Sequence, residues 1–309
     1  MTPTDITFES AGVACAAWHF TAQGQRLDSG AGRPAVVMAH GFGGTKDSGL
    51  APFAERFAAA GADVLAFDYR GFGASAGTPR QSISLARQVA DYAAAVTAAQ
   101  ALPGVDPNRI VLWGPSLSGG HVIRVAAGRD DIAAVIAMTP LTNGLAVSRT
   151  AAVRTDPLAA LRWTLAGVGS RVAVRRGGDA TLMPLVGRPG APGAMTLDGA
   201  YESYTALAGP SWRNEVDAAV GLEVGRIRAT GWAKRLRCPL LVQIGDFDRF
   251  VPPASVVKTA VAGRAQVHHY PCDHFDVWPG NDWFDKAVGD QVAFLTRTLA
   301  PARVGQPAR

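Results

Sequence analysis

The 309-residue chain predicts an α/β fold built on a mostly parallel sheet, and three observations carry that reading. Short apolar runs alternate with helix-period segments, the later runs are continuous rather than alternating, and turn residues mark the boundaries. A continuous apolar run indicates a strand buried on both faces, as in a parallel sheet covered by helices.

Strands are expected first at Asp5–Glu9 and Val13–Thr21, then at Pro34–Ala39, followed by a helix at Ala51–Ala60 and a strand at Asp63–Asp68. A helix at Ser82–Leu102 leads to a strand at Arg109–Trp113, a helix at Leu117–Ala127 and a strand at Ile132–Met138. The alternation resumes with strand Pro239–Ile244, helix Pro253–Ala262, strand Ala265–Tyr270 and helix Trp283–Leu299, so the sheet is expected to hold eight strands. Between Leu141 and Trp232 no strand pattern of comparable strength appears. Helix-like segments at Asp156–Val172, Asp198–Ala206 and Trp212–Glu223 surround the flexible, glycine-rich stretch Gly187–Gly193. The expected organisation is a core of residues 1–141 and 233–300, a helical cap at 142–232, and a disordered tail at 301–309. The cap's Trp163, Met183, Met195, Tyr201, Tyr204 and Trp212 are read mainly as its own small core.

Hydrophobic residues make up 48% of the chain, enough for a large interior. Met1–Ser10 is polar with no basic start, unlike a secretory signal, and even the Ala-rich Val89–Leu102 carries Asp91 and Gln100. A cytoplasmic protein without a membrane span is expected. Cys15, Cys238 and Cys272 are odd in number and widely spaced, which argues against a disulfide framework and against a zinc site. The net charge of +5 comes mostly from scattered arginines, with no basic run interleaved with aromatics, so no nucleic-acid partner is expected. The oligomeric state stays open, a homodimer included.

The most informative segment is Trp113-Gly114-Pro115-Ser116-Leu117-Ser118-Gly119-Gly120. A serine alcohol is a poor nucleophile at neutral pH and must stand clear of the backbone beside a base and oxyanion donors. A sharp strand-to-helix turn with small residues two positions away on either side presents a serine in that way. Gly114 and Ser118 frame Ser116, and Ser116 and Gly120 frame Ser118, so the octet admits either serine. Strand register favours Ser116, because the apolar run Ile110–Trp113 ends at Gly114 and leaves Ser116 at the tip. The octet is also compatible with a plain glycine-rich turn or an N-cap serine.

Two more strand ends carry suitable groups. Leu240–Gly245 runs into Asp246-Phe247-Asp248-Arg249-Phe250-Val251-Pro252, and the last strand runs into Tyr270-Pro271-Cys272-Asp273-His274-Phe275. The resulting order, serine then acid then histidine, with His40-Gly41-Phe42-Gly43-Gly44 after the third strand, resembles the α/β-hydrolase superfamily over nearly the whole chain. The insertion falls where that family commonly carries a cap.

The resemblance implies an α/β-hydrolase fold and a serine hydrolase that needs neither metal nor organic cofactor. The family's acid loop, G-x-x-D followed by V-P, matches Gly245, Asp248, Val251 and Pro252, which prefers Asp248 to Asp246. His274 occupies the family's G-H-F position with Asp273 in place of the glycine, and an adjacent carboxylate would raise the imidazole pKa. His268 and His269 lie in a strand, His121 in a helix, and His19 far from the expected edge. Oxyanion donors are implied at the Phe42 and Leu117 N–H groups. Asp68-Tyr69-Arg70-Gly71-Phe72-Gly73 is read as a tight turn and not as a dinucleotide fingerprint.

The segments S-x-S-G-G and H-F-D-V-W resemble the dienelactone-hydrolase and X-Pro-peptidase branch. That implies a small-molecule acyl substrate, a carboxylic ester first, with an amide, a thioester or acyl transfer as the alternative. A non-catalytic ligand receptor on the same fold is the alternative of a different class.

Overall fold

The computed structural model describes residues 1–154 and 157–300, so Asp156 of the expected Asp156–Val172 helix and the expected tail at 301–309 lie outside the described residues. The chain opens with β1 (Thr4–Ser10), β2 (Val13–Phe20), β3 (Arg33–Ala39), α1 (Ala51–Ala59), β4 (Asp63–Phe67) and α2 (Leu85–Gln100). It continues with β5 (Val105–Pro115), α3 (Ser116–Ala126) and β6 (Ile132–Met138). Then follow α4 (Gly144–Arg154), α5 (Pro157–Arg175), β7 (Leu182–Met183), α6 (Ala200–Leu207), β8 (Val216–Asp217), α7 (Val220–Val224) and α8 (Ala229–Ala233). The last elements are β9 (Leu240–Gly245), α9 (Pro253–Ala262), β10 (Gln266–Tyr270) and α10 (Phe284–Leu299).

Eight strands form one sheet in the order β1-β2-β4-β3-β5-β6-β9-β10. β2 runs antiparallel to both β1 and β4, and all later neighbours are parallel. The continuous apolar runs explain this: β3, β4 and β9 are buried along nearly their full length, which requires helices on both faces. Parallel pairing carries the carboxyl ends of β3, β5, β6, β9 and β10 to one edge, where such sheets present their ligand sites.

Buried polar groups tie that edge together. Trp113 Nε1 donates to Gln291 Oε1 at 2.9 Å, Gln291 Nε2 to Gln243 Oε1 at 2.6 Å, and Gln243 Nε2 to Tyr270 Oη at 2.7 Å. This chain of amides joins β5, α10, β9 and β10, and each buried polar atom in it finds a partner.

The segment between β6 and β9 differs from expectation in four places, the short helix α8 being one that no pattern announced. Gly144–Arg154 is helical, a helix that its weak periodicity did not announce. Trp212–Glu223 is not one helix but a turn, the strand β8 and the short helix α7. Asp217 decides the latter: its buried carboxylate accepts from Ser170 Oγ at 2.6 Å, Ser82 Oγ at 2.8 Å and Ala219 N at 2.9 Å, while its own N–H donates to Gln81 O at 2.8 Å. Four bonds outside the helical ladder outweigh local helix propensity. Lastly, β7 and β8 pair antiparallel, two residues each, where no strand was expected.

Candidate active site

Ser116 sits between the last residue of β5 and the first turn of α3, with φ of +49°. A non-glycine residue in the left-handed region is strained, and such strain persists only where the surroundings impose it. They do so here. A Cβ on Gly114 would lie 2.6 Å from Ser118 O, one on Gly119 would lie 2.5 Å from Pro140 Cβ, and one on Gly41 would lie 3.1 Å from Ser116 Cβ. The turn closes because those three positions have no side chain. Ser116 itself is half-buried.

Ser118 has a different place. It is fully buried, and its hydroxyl lies 2.8 Å from Pro115 O and 3.1 Å from Ala39 O. It therefore fastens the turn to the end of β3, a stronger part than merely being small enough for the turn to close.

Asp248 and His274 meet at the same edge. His274 Nδ1 lies 2.6 Å from Asp248 Oδ2, with both side chains almost fully buried. The other carboxylate oxygen, Oδ1, accepts from Phe250 N at 2.8 Å and Val251 N at 2.7 Å, which orients the acid. Asp246 turns outward and pairs with the exposed His269 at 2.6 Å. Burial disfavours the charged form of His274, but the Asp248 charge and hydrogen bond, followed by the Asp273 charge, hold its pKa above the ordinary histidine value. With Nδ1 engaged by Asp248, Nε2 is the ring nitrogen left for another partner. Among the described residues no hydrogen bond joins Ser116 Oγ to His274 Nε2; catalytic bonds of this kind tighten when substrate binds.

Asp273 links the two loops. It accepts from Arg249 N at 2.9 Å, from Arg249 Nε at 2.5 Å and from His274 N at 2.8 Å. The residue after the acid is thereby clamped to the residue before the histidine.

The loop after β3 packs directly on the serine turn through Gly41. Phe42 O accepts from the Tyr204 hydroxyl, and among the described residues the Phe42 N–H has no hydrogen-bond acceptor. Leu117 N–H belongs to the first turn of α3, whose donors have no partner within a helix. Both expected oxyanion donors thus lie on the two backbone segments that meet at Ser116. Downstream, Lys46 N and Nζ both reach Asp68, at 2.6 and 2.8 Å, anchoring the loop to the turn after β4.

Two residues named in the sequence only as members of a loop and of the cap's core take up specific places here. His40 is buried and stacks on Trp278 with ring centroids 4.9 Å apart, and burial pushes its pKa down to about 4, so it stays neutral. Tyr204, read as cap core, instead reaches the loop after β3 at Phe42 O and also stacks with Trp212. Six aromatic and methionine residues shared its segment, and nothing local marked the one whose hydroxyl crosses to Phe42.

The geometry has parallels in known proteins. The chain is 34% identical over 300 residues to the quorum-quenching protein AidA of Acinetobacter baumannii, covering 96% of this chain and 95% of that one. It is 37% identical over 157 residues to the thiohydrolase aneE of Aspergillus aculeatus, covering 51% of this chain and 49% of that one. The crystal structure of the α/β hydrolase GrgF from Penicillium superposes with a TM-score of 0.79 over 97% of this chain and 100% of that one; at 23% identity this speaks to the fold. Residues 30–272 match the family model described as serine aminopeptidase, S33. The chain belongs to that family and is an α/β hydrolase.

Proposed function

We propose that the chain is a serine hydrolase in which Ser116 is the nucleophile, His274 the general base and acid, and Asp248 the group that orients His274. The single observation that carries this reading is the buried 2.6 Å contact between Asp248 and His274, set at the same sheet edge as the strained Ser116 turn. Ser116 Oγ attacks a carbonyl carbon as His274 Nε2 takes its proton, and the Phe42 and Leu117 N–H groups hold the oxyanion. Collapse transfers the proton to the leaving group and leaves an acyl-enzyme. Water deprotonated by His274 then releases the acid and restores the serine.

The segment 142–232 is proposed as a cap over this edge. Its support is the Tyr204 bond to Phe42 O and the close packing of Leu185 on Gly43, where an added Cβ would meet Leu185 Cδ1 at 2.3 Å. The substrate is proposed to be a carboxylic ester, as in the carboxylesterase-like branch related to dienelactone hydrolases. A thioester is the second reading, favoured by the thiohydrolase relative, and interception of the acyl-enzyme by an alcohol would make the same site an acyltransferase.

Burst kinetics with matched p-nitrophenyl esters, thioesters, amides and lactones test this reading. A stoichiometric burst followed by slower turnover is expected, largest for the esters. A thioester kcat/KM at least tenfold above that of the matched ester would move the assignment to thiohydrolase. No burst with any of them would favour a ligand receptor on the same fold.

A further inference from the structure

Helix α5 turns a single apolar row toward solvent. Leu158, Leu161, Leu165, Val168 and Val172 are 56%, 55%, 63%, 47% and 40% exposed. They recur at steps of three, four, three and four residues along a 19-residue helix. The opposite side is the packed one: Gly167 and Ser170 are buried, and Arg171 pairs with Glu223 at 2.5 Å. Solitary exposed leucines are ordinary on a protein surface, whereas five in one register form a contiguous patch.

We infer that α5 is a dimerisation helix, which packs antiparallel against α5 of a second copy of this chain about a two-fold axis at Leu165. The spacing selects a helix as the occupant. A strict three-four stripe is the narrow seam of a two-helix contact, while a helix lying in a bilayer surface presents a broader apolar face. Here the stripe is bordered by the exposed Arg162, Thr164 and Gly169.

The row is also complementary to its own reverse. Turning α5 about Leu165 sets Leu158 opposite Val172 and Leu161 opposite Val168, so that a larger side chain meets a smaller one in each outer layer. Charge selects the antiparallel sense. The described residues of α5 include Arg162, Arg171 and Arg175 and no acid. Parallel pairing would align the two helix dipoles. Antiparallel pairing opposes the dipoles and places Arg162 beside Gly169, where an added Cβ would meet nothing within 4 Å. A 19-residue helix is about 28 Å long. A single helix seam of that length lies at the small end of specific interfaces, which bury roughly 1,200–2,000 Å², so the dimer is expected to be reversible.

Sedimentation velocity on the full chain tests this, with the mass expected to rise from 32.2 kDa toward twice that value across micromolar concentrations. Leu165→Glu should remain at the single mass with unchanged far-UV circular dichroism. Under mild oxidant, Leu165→Cys should form a disulfide dimer beyond the wild-type background from the three native cysteines. Leu158→Cys should form one only when mixed with Val172→Cys, and self-linking of Leu158→Cys would overturn the antiparallel sense. The inference as a whole fails if the wild type keeps a single mass throughout or if Leu165→Glu still dimerises. It fails equally if the monomeric wild type co-sediments with phosphatidylserine vesicles and Leu165→Glu does not, since the face would then serve a bilayer.

Discussion

His274 titrates between two carboxylates, and that sets its pH behaviour. In the proposed role of base it must be neutral, and burial opposed by Asp248 and then Asp273 leaves its pKa above the ordinary value. Activity should therefore fall as pH drops through this raised value, earlier than for an unperturbed histidine. Asp273→Asn removes one of the two negative charges and the carboxylate that pairs with Arg249 Nε, while Arg249 Nη2 still donates to Asp198 O at 3.1 Å. The acid limb of kcat/KM should then move to lower pH, and a limb that moves upward would contradict the assignment. The same shift acts on stability with the opposite pH sense: the favourable His274 pairing is fully present below the unfolded-state pKa and is lost as pH rises through the folded value. Gly41 offers a second test at this scale. Alanine there would bring a Cβ within 3.1 Å of Pro115 O and Ser116 Cβ, and the displaced loop should slow acylation by roughly tenfold to a hundredfold in single-turnover kinetics. These residue types and their order could be read from the sequence. The Ser118 bond to Ala39 O could not, because it joins residues 79 positions apart.

Among the elements, α2 positions the site without touching it. Tyr92 Oη donates to Trp113 O at 2.8 Å and accepts from Ala39 N at 3.0 Å. It thus spans β3 and β5 three residues before Phe42 and three before Ser116. Tyr92→Phe strands a buried N–H and a buried C=O, and should lower stability by about 1–3 kcal/mol in urea unfolding, with a slower acyl burst. An unchanged midpoint would show that this bridge is not made. Helix period located α2, but period says nothing about where a tyrosine hydroxyl ends. Trp212–Glu223 shows the converse limit. Its residues suit a helix, yet the partners of Asp217 come from Gln81, Ser82 and Ser170, all remote in sequence. The core strands were legible because a strand buried on both faces announces itself in its own composition. Between β6 and β9 helix period located α5 and α6 as well, but the two-residue strands β7 and β8, which lean on the rest of the chain, carry no such signal.

At the scale of the whole molecule, six strand ends of one parallel run gather the Phe42 loop, Ser116, Asp248 and His274 at one edge, while α5 carries an apolar seam on the segment proposed as the cap. If α5 pairs with a second copy, assembly restrains that segment, and the thermal midpoint should rise with protein concentration for the wild type and stay constant for Leu165→Glu. Differential scanning fluorimetry over a hundredfold concentration range would show it. The central claim concerns Ser116. Intact-mass and peptide-mapping analysis after exposure to a fluorophosphonate measures it most directly. One adduct per chain is expected on the peptide holding Ser116, lost in Ser116→Ala and retained in Ser118→Ala; an adduct that survives Ser116→Ala and disappears in Ser118→Ala would contradict the account.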